Sequence, residues 1–268
     1  MSLLSAEHYI AVLGGGAVGL CRRRRDGLIW LGRLDTGAEP GDWPAASAAL
    51  ARLLAEQVPG RARLSVVLSA HFTRYCLVPW SAEIRTPGEL ETFGRLCIEE
   101  LYGQPAAGWS LRLSPDIAGH PRLAAAMPAA LLERLRQAAE AAGIRLLSVQ
   151  PYLMSVVNRF CGSLSGNDFL FILAEPGRST LLRARNGHWT GVGSLGAEDS
   201  DPALGALIER ELTLEELDGA AADELYLHAP GRAGERPRPT CARQPRLLEL
   251  PRPQVGGDPL YTMAQTVN

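Results

Sequence analysis

The sequence predicts an α/β protein in two lobes, each built on the same βββαβα plan. Three observations predict it. Short apolar runs joined by Gly and Asn turn signals open the chain and recur at 167–192. Each hairpin-rich block is followed by a helix-period segment and another strand-like run. Between them, 122–160 alternates strand, helix, strand and helix with short connections, the pattern of a sheet covered by helices.

In order, 9–13 is a short apolar run that ends at Gly14-Gly15-Gly16, and 17–22 follows it. Asp26-Gly27 signals a hairpin, after which 28–34 resumes. Segment 43–57 carries Leu50, Leu53 and Leu54 at helical spacing. The β-branched run 63–69 (RLSVVLS) is a buried strand, with 74–79 as its neighbour. Segment 86–102 is an amphipathic helix with Leu90, Phe93, Leu96, Cys97 and Leu101 on one face. Its start, Thr86-Pro87-Gly88-Glu89, supplies a cap, a first-turn proline and an acid for the dipole. Segment 122–126 is a strand, 128–142 a helix capped by Gly143, 144–149 a strand and 151–160 a helix. Then come a strong strand at 167–174, a tight turn Glu175-Pro176-Gly177, a strand at 179–184, an Asn186-Gly187 type I′ turn and a strand at 188–192. A helix at 202–217, a short strand at 224–227, a mobile Arg/Pro/Gly-rich stretch at 231–239, a strand at 246–250 and a closing helix at 260–267 complete the chain. The lobes are expected at 1–165 and 166–268, with a cleft between them.

Composition excludes several functions. Apolar residues make up 46% and net charge is −2, so no broad basic field calls for nucleic acid. The chain has no lysine. That rules out a P-loop, a pyridoxal Schiff base and a protein-kinase strand lysine. The five cysteines show no CxxC spacing and mostly border apolar residues, which suits small buried hydrophobes in a reducing cytoplasm. His8, His71, His120, His188 and His228 are far apart in sequence, so no metal site is expected. No G-x-S-x-G elbow occurs. The opening MSLLSAEHYIAVL lacks a basic n-region, and no apolar run approaches the ~20 residues that span a bilayer. Any membrane link is therefore expected to run through a partner.

Three blocks carry a resemblance. RLAAAMPAALLERLRQAAEAAGIRLLSVQPYLMSVVNRF (122–160), FLFILAEPGRSTLLRARNGHWTGV (169–192) and DELYLHAPG (223–231) resemble, in turn, the strand–helix–strand–helix unit, the second phosphate hairpin and the adenosine turn of the actin-like (ribonuclease-H-like) ATPase fold. Within that fold the chain looks most like the pilus assembly protein PilM and the cytoplasmic domain of the secretion protein GspL. The resemblance implies a vestigial nucleotide cleft formed by Gly14, Gly15, Gly16, Glu175, Gly177, Ser179, Thr180 and Gly231. The first loop has no carboxylate, Glu175 stands where the family has Asp, and Pro176 and Pro230 remove backbone donors from turns that would cradle phosphate. Poor ATP binding, no hydrolysis, no catalytic residue and no metal are expected, and no cofactor.

What the resemblance implies functionally is a cytoplasmic scaffold of a pilus-like or secretion-like apparatus at the inner face of the inner membrane. It would hold a short cytoplasmic tail of an inner-membrane protein and relate it to a motor ATPase, with a homodimer as a further pairing. The alternative is an ATP-binding regulator or weak ATPase, with Glu175 as the metal-side acid. Gly14–Gly16 also reads as a plain hairpin turn, and Ser179 and Thr180 as hydroxyls that satisfy a turn. Arg22, Arg23, Arg24 and Arg25 suit either anionic headgroups, an acidic partner or a solvated strand end. Among Phe72, Tyr75, Trp80 and Trp109, Pro79-Trp80 is the preferred exposed docking aromatic.

Overall fold

The computed structural model describes residues 7–103, 105–164, 166–217, 222–233, 235–251 and 257–267. Of the opening MSLLSAEHYIAVL, residues 1–6 lie outside the described residues, and His8–Leu13 is a strand. Two compact units interleave along the chain. One comprises Met1–Phe72, Pro128–Arg159 and Leu250–Asn268; the other comprises Thr73–Met127 and Phe160–Glu249. The 165/166 boundary expected from sequence lies near one of these junctions, and the sequence pattern carries no sign of the return segments.

The first unit holds a five-stranded sheet: β1 (His8–Leu13), β2 (Ala17–Arg24), β3 (Gly27–Asp35), β4 (Arg63–Leu68) and the later strand Arg145–Pro151. The first three strands form an antiparallel meander, and β4 and Arg145–Pro151 extend it in parallel beyond β1. Both edges of β4 are thus taken. That is why the strand β5 (Arg74–Val78), which the sequence suggests as its neighbour, pairs elsewhere. The turn after β4, closed by Phe72 N to Ser69 O at 3.0 Å, redirects the chain. Helix α1 (Trp43–Gln57) starts where Asp42 Oδ1 accepts from Ala45 N at 3.0 Å, and buries Leu50, Leu53 and Leu54 as their spacing predicts.

The second unit opens with β5, α2 (Pro87–Tyr102), β6 (Trp109–Leu113) and β7 (Arg122–Pro128), the strands pairing in the order β5-β7-β6. Strand β7 therefore does not share a sheet with the strand that follows the next helix, as the alternating pattern suggests. The expected capping box of α2 forms: Glu89 N donates to Thr86 Oγ1 at 3.2 Å and Thr86 N to Glu89 Oε2 at 3.0 Å. Of the expected face, Leu90, Phe93 and Cys97 pack on the core of this sheet. Gly94 and Ile98 are buried, while Leu96 and Leu101 are 55% and 58% exposed. A three-stranded sheet covers a narrower stripe of helix than the five apolar positions span.

Back in the first unit, α3 (Ala129–Ala141) leads to β8 (Arg145–Pro151) and α4 (Tyr152–Arg159), with Gly143 at φ +67 in the intervening turn. The second unit then repeats the first sheet's order. Strands β9 (Phe169–Glu175), β10 (Arg178–Arg185) and β11 (His188–Gly196) form an antiparallel meander. Strands β12 (Glu224–His228) and β13 (Arg246–Leu247) extend it in parallel beyond β9. Asn186 and Gly187 adopt φ +50 and +77, as a type I′ turn requires. Helix α5 (Asp201–Leu217) lays Leu204, Leu207 and Ile208 on Leu170, Ile172, Leu225 and Leu227. The segment at 231–239, expected to be mobile, is tied at several points. Arg232 Nη1 donates to Asp201 Oδ1 at 3.1 Å, Arg238 N to the same oxygen at 3.0 Å, and Pro237 and Pro239 are buried. The closing helix α6 (Pro259–Ala264) packs on β1 and β2 of the first unit.

Candidate functional site

The eight residues assigned to a cradle divide between the units. In the first, Gly14 N donates to Ala17 O at 2.9 Å, closing the β1–β2 turn. The carbonyl of Gly15 accepts from Gly41 N at 3.0 Å, and that of Gly16 from Thr36 N at 2.9 Å. The His71 ring lies on Gly15: a Cβ there would stand 2.8 Å from Cε1. A Cβ on Gly14 would stand 2.5 Å from Leu260 Cδ2. These glycines let protein pack closely on protein. None of the three has positive φ, so the turn lacks the αR–αL pairing that points successive N–H groups at an anion.

In the second unit, Glu175 ends β9 and is buried, and Pro176-Gly177 (Gly177 φ +76) turns the chain into β10. Ser179 and Thr180 are fully buried. Thr180 Oγ1 is 3.3 Å from Ser194 Oγ, whereas Ser179 Oγ finds no hydrogen-bond partner among the described residues. Pro176 leaves Gly177 as the turn's own donor. Gly231 comes up beside this turn: a Cβ on it would meet Pro176 Cγ at 3.0 Å and Asp199 Oδ2 at 2.5 Å. The structure thus brings Glu175, Gly177, Ser179, Thr180 and Gly231 into one neighbourhood and adds Asp199, which sequence reasoning missed. The acidic run Glu198-Asp199-Ser200-Asp201 before α5 was the available signal. Behind the turn, His228 is buried, its Nδ1–H donating to Leu248 O at 2.6 Å, and burial pulls its pKa down to about 4.

A groove of about 260 Å³ opens at the end of β5 and the start of α2, with Trp80, Pro79, Ile84 and Leu90 as apolar walls and Arg85, Arg122 and His120 as cationic ones. Trp80 is 49% exposed, as its place after Pro79 predicts, whereas Phe72 and Tyr75 are core residues. Histidines distant in sequence meet here. The rings of His120 and His188 stack at 3.4 Å and 12°. Parallel rings cannot aim both lone pairs at one ion, and no group of three or more potential metal ligands occurs among the described residues. Burial pushes the Cys21 and Cys76 thiols up to about 12, as inert hydrophobes, while Cys161 is exposed. In the arginine run, Arg22 pairs with Glu7 at 3.3 Å, Arg23 donates to the Val267 carbonyl, and Arg24 and Arg25 are exposed at the hairpin tip.

No family model matches the sequence, and no curated protein does. Solved structures match across most of the chain. The PilM–PilN type IV pilus biogenesis complex superposes with a TM-score of 0.61 at 17% identity, over 85% of this chain and 82% of that one. The cytoplasmic domain of EpsL, an inner-membrane component of the type II secretion system of Vibrio cholerae, gives 0.60 at 12% identity, over 97% and 94%. A protein of unknown function with an actin-like ATPase fold, from Bacteroides thetaiotaomicron, gives 0.56 at 9% identity, over 84% and 82%. The fold is that of the actin-like ATPases. The repeated sheet order, three antiparallel strands and then two parallel ones, is the duplication that this fold requires of the chain. No helix among the described residues is long and apolar enough to cross a membrane.

Proposed function

We propose that this protein is a non-catalytic cytoplasmic scaffold of a pilus-like or secretion-like assembly, and that it holds a short tail of an inner-membrane partner. The observation that carries the reading is the Trp80 groove, an apolar slot with a cationic wall on a fold shared with a pilus biogenesis complex and a secretion-system component. A half-exposed Trp beside Arg85 and Arg122 suits a tail with an apolar anchor and a neighbouring carboxylate. The tail would lie in the groove or add to an edge of the β5-β7-β6 sheet.

The two loops do not fit Mg-triphosphate. The first spends its carbonyls on Thr36 and Gly41, carries a histidine ring against Gly15 and has no acid; the second has proline where a donor would serve. One observation favours the ATP-binding alternative, the Asp199 carboxylate against Gly231 with Glu175 close in sequence to the same turn. Two titrations separate the readings. Fluorescein-labelled tail peptides from membrane proteins encoded beside this gene should bind wild type and lose roughly tenfold or more in affinity on Trp80→Ala. Calorimetry with Mg-ATP that showed micromolar binding abolished by Glu175→Gln, with no peptide bound, would overturn the scaffold.

A further inference from the structure

The arginine run at 22–25 belongs to a wider rim of the first unit. Strands β1, β4 and β8 are parallel and start at one end of their sheet, opposite the end where β1 meets Gly14. At that start His8 pairs with Arg63, and Arg63 with Arg145. Strand β2 runs the other way and ends there, with Arg22 opposite Tyr9; one further step of the register sets Arg23 opposite His8. Paired residues share a face, so Arg23, His8, Arg63 and Arg145 form a row across four strands, about 14 Å long at the usual strand spacing. Backbone bonds fix its flanks. Arg61 N donates to Gly143 O at 3.0 Å, Arg145 N to Ala62 O at 2.9 Å and Arg63 N to Glu7 O at 2.8 Å. Arg24 and Arg25 extend the row at the β2–β3 tip, and Arg159 closes α4, which packs on β4 and β8.

Arg24, Arg25, Arg61, Arg145 and Arg159 are exposed, and none of them forms an ion pair among the described residues. Glu7 is already committed to Arg22 at 3.3 Å and to the Tyr9 hydroxyl at 2.7 Å. Asp26 at the tip and Glu140 near the end of α3 stand beside the row and are too few to balance it. The crowding is felt within the row: burial first, then Arg159, lowers the pKa of Arg23, and burial, then Arg23 and Arg63, lowers that of His8. The whole chain carries −2, so this positive rim is a local feature and not a general excess.

We propose that the rim docks on a bilayer surface rich in anionic phospholipid. Its shape selects that partner. A single phosphate or carboxylate would meet one or two of these guanidiniums, whereas a plane of headgroups meets every one that points outward. Ile29, 39% exposed and paired with Arg22 just behind the tip, offers an apolar side chain to the interface. A nucleic-acid strand would use aromatic faces for its bases, and Tyr9, the aromatic beside the row, is buried. Contact of this kind is weak and reversible alone. It uses neither the glycine loops nor the Trp80 groove, so vesicle binding and tail binding succeed or fail separately.

Co-sedimentation of the whole chain with large unilamellar vesicles tests it. At low salt the protein should pellet with phosphatidylcholine vesicles that contain one third phosphatidylglycerol, and stay in solution with phosphatidylcholine alone. Arg24→Gln with Arg25→Gln should weaken binding roughly 25-fold, at about fivefold per arginine, and Arg61→Gln with Arg145→Gln should do the same. All four side chains are exposed, and an unchanged melting temperature shows that the fold is kept. Arg134→Gln with Arg136→Gln removes the same charge from exposed positions of α3 and should leave binding intact. Raised salt should release the protein. Equal binding to phosphatidylcholine alone, no binding to either vesicle, or an equal loss in the α3 variant would overturn the proposal. So would tighter binding to a single-stranded oligonucleotide with the same dependence on Arg24 and Arg25, which would reassign the rim to nucleic acid.

Discussion

His228 makes the stability of this protein depend on mild acid, and the size of the effect follows from its burial. The side chain is 3% exposed, ends β12 and donates Nδ1–H to Leu248 O, so the neutral ring is the form that the fold accommodates. Burial takes its pKa from 6.5 to about 4. In the unfolded chain the ring binds its proton near the ordinary value, so between those two limits the unfolded state holds more protons than the native one. Stability is therefore complete above about pH 6.5 and is lost as pH falls toward about 4, where about 3 kcal/mol has gone. From about pH 7 to about pH 5 the loss is about 2 kcal/mol. The perturbation is His228→Asn, which keeps a donor for the Leu248 carbonyl and removes the titration. The assay is urea denaturation followed by circular dichroism at several pH values for both proteins, read on the transition that the substitution moves. His8, whose pKa burial also lowers, adds a slope of the same sign to both proteins and cancels in the difference. Wild type should lose stability more steeply with acid than the variant down to about pH 4, the difference between them changing by about 3 kcal/mol. Parallel curves across that range would refute the reasoning.

Two further outcomes follow from the second unit. Glu211, 2% exposed on α5, accepts from Arg183 and from Arg210 Nε at 3.0 Å. Glu211→Ala should cost about 2 kcal/mol rather than the 3–5 of a stranded buried charge, because Arg183 is 29% exposed and keeps Glu215 at 3.4 Å; the melting temperature should fall by about 6 °C. Gly205 packs on backbone, and a Cβ would stand 2.5 Å from Thr240 O and 2.7 Å from Thr240 N. Gly205→Ala should release that segment from α5 and speed trypsin cleavage after Arg243, the arginine there that no proline follows, and unchanged digestion would count against the packing argument.

What could be read from the sequence is what local physics determines. The Thr86–Glu89 box, the Asn186-Gly187 turn and the apolar run in β9 each depend on a few neighbouring residues, and each appears where it was expected. Strand partnership does not work that way. The runs that become β4 and β5 look equally like members of one sheet, and only the occupation of both β4 edges by β1 and β8 sends β5 to β7. Leu96 and Leu101 fall outside the packed face of α2 for the same reason, since the width of an apolar stripe is set by the partner sheet and not by the helix.

The candidate site shows the limit more sharply. Sequence motifs name residues by their place in a loop, and so they found Gly14–Gly16 and Glu175–Thr180. They carry nothing about what presses on those loops from elsewhere in the chain. His71 against Gly15, Leu260 against Gly14 and Asp199 against Gly231 are contacts between residues far apart in sequence. They also decide what each glycine is for. A glycine whose missing Cβ is replaced by a histidine ring or a leucine methyl serves packing, since the space a phosphate would need is already filled by side chain.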